Sequence, residues 1–160
     1  GAVATELRTG RTVVFEKGPV ARAVRASCAI PGIFPPVVID GESYVDGAIS
    51  NPVPADLARA RGAEVVIGVA IPAAVPDRAP TATLGIVLQS IEILSTELER
   101  AKAKDADVLI VPEAGDVASD DFTQKRRLIE AGEAAARAAL PAIRAAIRAK
   151  TRLVPATPGG

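Results

Sequence analysis

Apolar and polar positions along this chain alternate between strand and helix periods. Residues Ala2–Leu7 and Arg11–Phe15 read as two short strands, joined through Arg8-Thr9-Gly10 into a hairpin. Gly18-Pro19 then opens a helix, with proline at its first position, running over Pro19–Cys28. Three prolines and a glycine between Ile30 and Pro36 predict a stiff loop. Val37-Val38-Ile39 and Ser43-Tyr44-Val45 flank Asp40-Gly41, a strong signal for a tight hairpin turn. Asn51 with Pro52 predicts the start of a helix that Gly62 closes.

The second half switches to longer periods. Glu64–Ile71 is nearly continuous in apolar residues, which predicts a strand buried on both faces of a parallel sheet. Pro72–Pro80 reads as an irregular connection. Leu84, Val87, Leu88, Ile91, Leu94, Leu98 and Ala101 recur at helical spacing, so a helix is expected over Leu84–Lys104 with that stripe on one face. Asp107–Val111 is a further strand of the buried type. Ser119-Asp120-Asp121 offers caps for an Ala-rich helix towards Leu140, and Pro141 is expected to kink it or to begin a second helix to Lys150. The expectation is an α/β fold with a largely parallel sheet flanked by helices. It forms one domain over residues 1–150, with residues 151–160 as a flexible tail.

Composition narrows the chemistry more than it narrows the fold. The 160 residues are 49% apolar and 24% charged, as in a globular domain, but only 2% aromatic, so Ala, Val, Ile and Leu must build the core. Lys plus Arg balances Asp plus Glu at 19 each, which offers no electrostatic case for nucleic acid. There is no histidine and one cysteine, so neither a Ser-His-Asp triad nor a Cys-His pair can be assembled from this chain. A tetrahedral zinc site lacks ligands for the same reason, and no metal is expected. Cys28, ending an apolar helix, reads as a buried inert thiol. Arg22 and Arg25, and the cluster Lys125-Arg126-Arg127, read as solvated helix faces.

Tyr44-Val45-Asp46-Gly47-Ala48 stands apart from this background. An acid at a strand end, followed by glycine and a small residue, is either a turn residue bonding its own backbone or a rigidly held functional carboxylate. Without histidine, such an Asp can take a proton directly from a serine hydroxyl, and burial would raise its pKa towards that task.

Three segments together resemble the C-terminal half of bacterial patatin-like phospholipases. They are Ala4-Thr5-Glu6-Leu7-Arg8-Thr9-Gly10, then Ala23–Pro36 with Ser27-Cys28-Ala29-Ile30-Pro31-Gly32 at its centre, then Tyr44–Ala48 with Asn51-Pro52-Val53-Pro54 and Gly62–Ile67 after it. The resemblance implies an incomplete patatin-like α/β domain and a lipid acyl-ester hydrolase with a Ser–Asp dyad. It implies Asp46 as general base within the motif Asp46, Gly47 and Ala48. It permits Phe34 to line an acyl-chain channel, whereas the residue itself fits a packed rigid corner.

The family's Gly-x-Ser-x-Gly elbow and Gly-rich oxyanion loop do not occur in these residues. None of Ser27, Ser43, Ser50, Ser90, Ser95 or Ser119 stands in an elbow, so the nucleophile is expected from a missing N-terminal half. The expected partners are a lipid or ester substrate and, transiently, a membrane. No cofactor is implied. The expected setting is bacterial, cytoplasmic or peripheral to a membrane, with a signal sequence not assessable. As it stands, the chain also fits a catalytically inactive α/β fragment or interaction module, prone to self-association through bare strand edges. A nucleotide-binding domain is a distant third reading, because no Gly-rich phosphate loop follows a strand.

Overall fold

A computed structural model describes residues 1–71, 78–114, 117 and 122–151. The chain divides into two compact units, Gly1–Pro54 with Pro76–Lys102, and Ala55–Val75 with Ala103–Gly160.

The first unit is built on four strands. β1 (Ala2–Glu6) and β2 (Thr12–Phe15) form the expected hairpin, followed by α1 (Val20–Ser27), β3 (Val37–Ile39) and β4 (Glu42–Asp46). The strand order is β2-β1-β4-β3 and every neighbouring pair is antiparallel. The expectation of a largely parallel sheet is therefore corrected. Both hairpins are short local returns, which force antiparallel pairing, and β1 then joins them by pairing directly with β4. Among the described residues only β5 (Ile67–Val69) and β6 (Val108–Ile110), in the second unit, pair parallel. The broader α/β reading holds.

The Asp40-Gly41 turn behaves as its residues dictate. φ is 51° at Asp40 and 87° at Gly41, the paired positive values that a two-residue hairpin of right-handed twist needs. α1 packs on β1, β3 and β4, and Ala4, Ala26, Ala29, Val37 and Tyr44 are buried where they meet. Small alanines let the helix lie close to the sheet. The bulk comes from Phe15 and Tyr44, whose rings meet edge-to-face at 5.0 Å and 77°. Cys28 is exposed at the end of α1, not buried as expected. The helix turns Ala26 to the sheet, and Cys28 caps it on the solvent side.

A 3-10 turn, Gly47–Ile49, follows β4 directly. The helix expected from Asn51-Pro52 starts later, as α2 (Ala55–Ala60). Asn51 N–H bonds back to the Gly47 carbonyl at 2.8 Å, which completes the preceding turn, and Pro54 disfavours helical geometry at Val53. Helix α3 (Thr83–Lys102) completes this unit and packs beside the 3-10 turn. Its apolar stripe is not a buried face: no residue of α3 is buried, and Leu84, Val87 and Leu94 are exposed.

In the second unit α2 ends as its glycine predicts. Gly62 has φ of 88°, its N–H bonds to the Arg59 carbonyl, and Ala63 N–H bonds to the Ala58 carbonyl. Those two bonds satisfy carbonyls that the helix end leaves open. β5 is shorter than expected and is not covered on both faces. Val66 and Ala70 are buried, but Ile67 is 43% and Val69 53% exposed. Alternate residues of a strand face opposite ways, and here only one face is covered.

Asp107 ties the strand entries together. It accepts from Val66 N–H at 2.7 Å and from the Arg59 guanidinium, which also donates to the Ala63 and Glu64 carbonyls. Helix α4 (Lys125–Thr151) packs on β6 and runs through Pro141 as one helix, so no second helix begins there. Proline removes one internal bond, while the alanines on both sides are the strongest helix formers. The Lys125-Arg126-Arg127 cluster is exposed, as expected. The caps expected at Ser119-Asp120-Asp121 and the tail beyond Thr151 lie outside the described residues. Among the described residues no helix is long and apolar enough to cross a membrane.

Candidate active site

The site is the junction of β4 with the 3-10 turn. β4 is an inner strand, paired to β3 as far as Tyr44 and to β1 through Asp46 at its end. Asp46 is its last residue, opposite Ala4 of β1.

The N–H, the carbonyl and one carboxylate oxygen of Asp46 are anchored. Its N–H donates to the Ala29 carbonyl at 3.0 Å, from the loop that follows α1. Its own carbonyl accepts from Thr5 Oγ1 at 2.9 Å. Carboxylate Oδ1 accepts from Ala48 N–H at 2.8 Å and so caps the 3-10 turn. Of the two readings of an Asp-Gly turn, the backbone-bonding one is thus realised, and it leaves Oδ2 as the oxygen the cap does not use. Burial pushes the carboxyl up from its ordinary 3.8, and the Ala48 N–H pulls it back in part. Raised proton affinity in a half-buried carboxylate is the property a base needs.

Gly47 is required by space. A Cβ built there would lie 2.3 Å from the Val3 carbonyl oxygen, so β1 backbone fills the room a side chain would need. Its φ is outside the left-handed region, so conformational freedom is not the reason. Ala48 contributes its N–H to Asp46, and its small side chain is half-buried.

The other expected residues fall around this point. Phe34 is 51% exposed in the loop after α1. Ser27 ends α1, Ser43 lies on β4, and Ser90 Oγ donates to the Ile86 carbonyl within α3. A shallow cleft of about 140 Å³, lined by Phe15, Lys17, Pro19, Arg22, Ile39 and Asp40 among others, includes neither Asp46 nor Phe34. Glu6, 2% exposed, was not foreseen as a buried acid. Arg8 Nη2 lies 3.3 Å from its Oε1 and Arg11 Nη2 3.0 Å from its Oε2. The Arg11 contact lacks hydrogen-bond geometry and acts as charge alone.

The anchors of Asp46 were also missed. Thr5 and Thr12 are cross-strand partners in the first hairpin. The turn at Arg8-Thr9-Gly10 could have placed them opposite one another, but not near Asp46.

The family model of patatin-like phospholipase matches residues 2–59, which contain all of this site. Over that stretch the chain is similar to the patatin-like phospholipase family. An uncharacterised NTE family protein of Mycobacterium tuberculosis is 41% identical over 70 residues, 44% of this chain and 19% of that protein. A second from the same species is 27% identical over 166 residues, 88% of this chain and 28% of that protein. Patatin-like phospholipase domain-containing protein 7 of Rattus norvegicus is 39% identical over 70 residues, 42% of this chain and 5% of that protein. The matches thus span about a fifth to just over a quarter of the length of these mycobacterial relatives.

Proposed function

We propose that this chain carries the base of a lipid acyl-ester hydrolase of the Ser–Asp type. The observation that carries the reading is Asp46: a carboxylate of raised pKa at a strand end, its backbone pinned on both sides, inside the patatin-like stretch. Oδ2 takes the proton from a serine hydroxyl as that oxygen attacks the acyl carbonyl. The protonated Asp46 then returns the proton to the leaving alcohol, and a water repeats the sequence on the acyl-enzyme. The serine and the N–H donors for the oxyanion come from residues outside these 160, the missing N-terminal half, without which there is no turnover. Phospholipid or lysophospholipid acyl esters are the substrate class, reached by transient membrane contact. The chemistry uses no metal or organic cofactor. Phe34, exposed in the same loop that anchors Asp46, would contact the acyl chain.

The second reading is a non-catalytic α/β module. It is favoured by Oδ1, which is already committed to Ala48 as an ordinary turn cap. Hydrolysis of a short-chain nitrophenyl ester separates the two, using this chain and an N-terminally extended form, each with Asp46→Asn. Turnover only in the extended form, lost in Asp46→Asn, is the expected result. Turnover in the 160-residue chain would place the nucleophile within it and overturn the division of labour. Unchanged turnover in extended Asp46→Asn would overturn the base assignment.

A further inference from the structure

Three hydroxyls stand in line behind Asp46. Thr12 Oγ1 donates to Ser50 Oγ at 2.8 Å, Ser50 Oγ lies 2.8 Å from Thr5 Oγ1, and Thr5 Oγ1 donates to the Asp46 carbonyl at 2.9 Å. A hydroxyl has one proton to give. Thr5 spends its proton on a carbonyl that can only accept, so the Ser50 proton must go to Thr5. The chain therefore runs one way, from Thr12 to Ser50 to Thr5 to the Asp46 carbonyl. Aligned donors polarise one another and strengthen each link. Thr5, at 2% exposure, is shielded from water that would compete for it.

We propose that Thr5, Ser50 and Thr12 are positioning residues for the Asp46 carboxylate. The argument is geometric. Ala29 fixes the peptide plane before the Asp46 Cα, and the hydroxyl chain fixes the plane after it. With both planes held, the Cα–Cβ bond has one direction. The Ala48 N–H then selects one side-chain rotamer, which aims Oδ2. Ser50 is thereby accounted for: its proton serves Thr5, so it is not the nucleophile. The proposal rests on Asp46 acting as base, and extends it to three residues that touch no substrate.

The test reads the Ala48 amide in the 160-residue chain by NMR. That proton is bonded to Oδ1 and moves downfield as Asp46 ionises. Ser50→Ala and Thr5→Val are expected to reduce this pH-dependent movement to about half or less. They also speed Ala48 amide exchange about five-fold, the population equivalent of one lost hydrogen bond. Thr5→Ser keeps the hydroxyl and retains both signals. Thr12→Val, at the far end, gives a smaller loss and remains readable if the stronger variants do not fold. Ile39→Ala weakens the same sheet away from the hydroxyls and leaves the Ala48 titration in place. An unaltered Ala48 titration in folded Thr12→Val, Ser50→Ala and Thr5→Val would overturn the proposal. So would an equal loss in Ile39→Ala, because the effect would then be general loosening. In an N-terminally extended form with esterase activity, the relay variants lower kcat and leave KM unchanged. If the extended form shows no turnover at all, the hydrolase reading fails while the Ala48 titration still decides the positioning role.

Discussion

Gly47→Ala tests the packing at the heart of this site. The added Cβ would stand 2.3 Å from the Val3 carbonyl oxygen and 2.8 Å from the Val3 carbonyl carbon, closer than side-chain carbons approach such atoms. Relief needs a separation of about 0.7 Å, and both partners are backbone, so no side chain can swing aside. Val3 lies in β1, bonded to β2 and β4. Gly47 follows a residue whose N–H and carbonyl are both committed. Overpacking costs roughly 1–3 kcal/mol, and a backbone clash in an inner strand belongs at the top of that range, about 3 kcal/mol. With a urea dependence of about 2 kcal/mol per molar, the unfolding midpoint falls by roughly 1.5 M. Ala48→Gly is the control, because it keeps the N–H that caps Asp46 and costs no more than about 1 kcal/mol. A Gly47→Ala midpoint within about 0.3 M of the unaltered chain would refute the reasoning, since β1 would then yield freely.

Other outcomes follow from the charged groups. Because Asp46 has a raised pKa when folded, the folded state binds its proton more tightly than the unfolded chain, so stability is lost as pH rises from 3.8 through the folded value. Asp46→Asn removes that contribution: from about pH 4 to about pH 8 the urea midpoint of the parent falls relative to that of the variant, and the variant is no less stable than the parent at neutral pH. Asp107 has the opposite sign, its carboxyl held down first by the Val66 N–H and then by Arg59. Its contribution is present above 3.8 and lost as pH falls through the folded value, so the protection of the Val66 and Val108 amides, relative to their intrinsic exchange at each pH, falls in acid, and Asp107→Asn abolishes that acid dependence. Glu6→Gln keeps the shape of a buried side chain but loses its charge contacts with Arg8 and Arg11. The expected loss is about 1–2 kcal/mol by denaturant midpoint, shrinking in salt because both guanidiniums are exposed. A salt-independent loss would mean that shape, not charge, holds that corner.

What residue types alone determined is the local part of this protein. Asp40-Gly41 turns a hairpin because both positions accept positive φ, and Gly62 ends α2 because it alone there does so without strain. Pro19 sets the start of α1, and Asp46 at a strand end before glycine marks the candidate site. Each of these depends on residues within a few positions of each other. Distant partners decided the rest. That the two hairpins share one sheet follows from β1 meeting β4, some forty residues apart, and no period along either strand encodes that choice. Val3 reserves the space at Gly47, while Ala29 and Thr5 clamp Asp46 from two other elements. A backbone carbonyl has the same chemistry at every position, so only the tertiary arrangement decides which one holds the carboxylate in place.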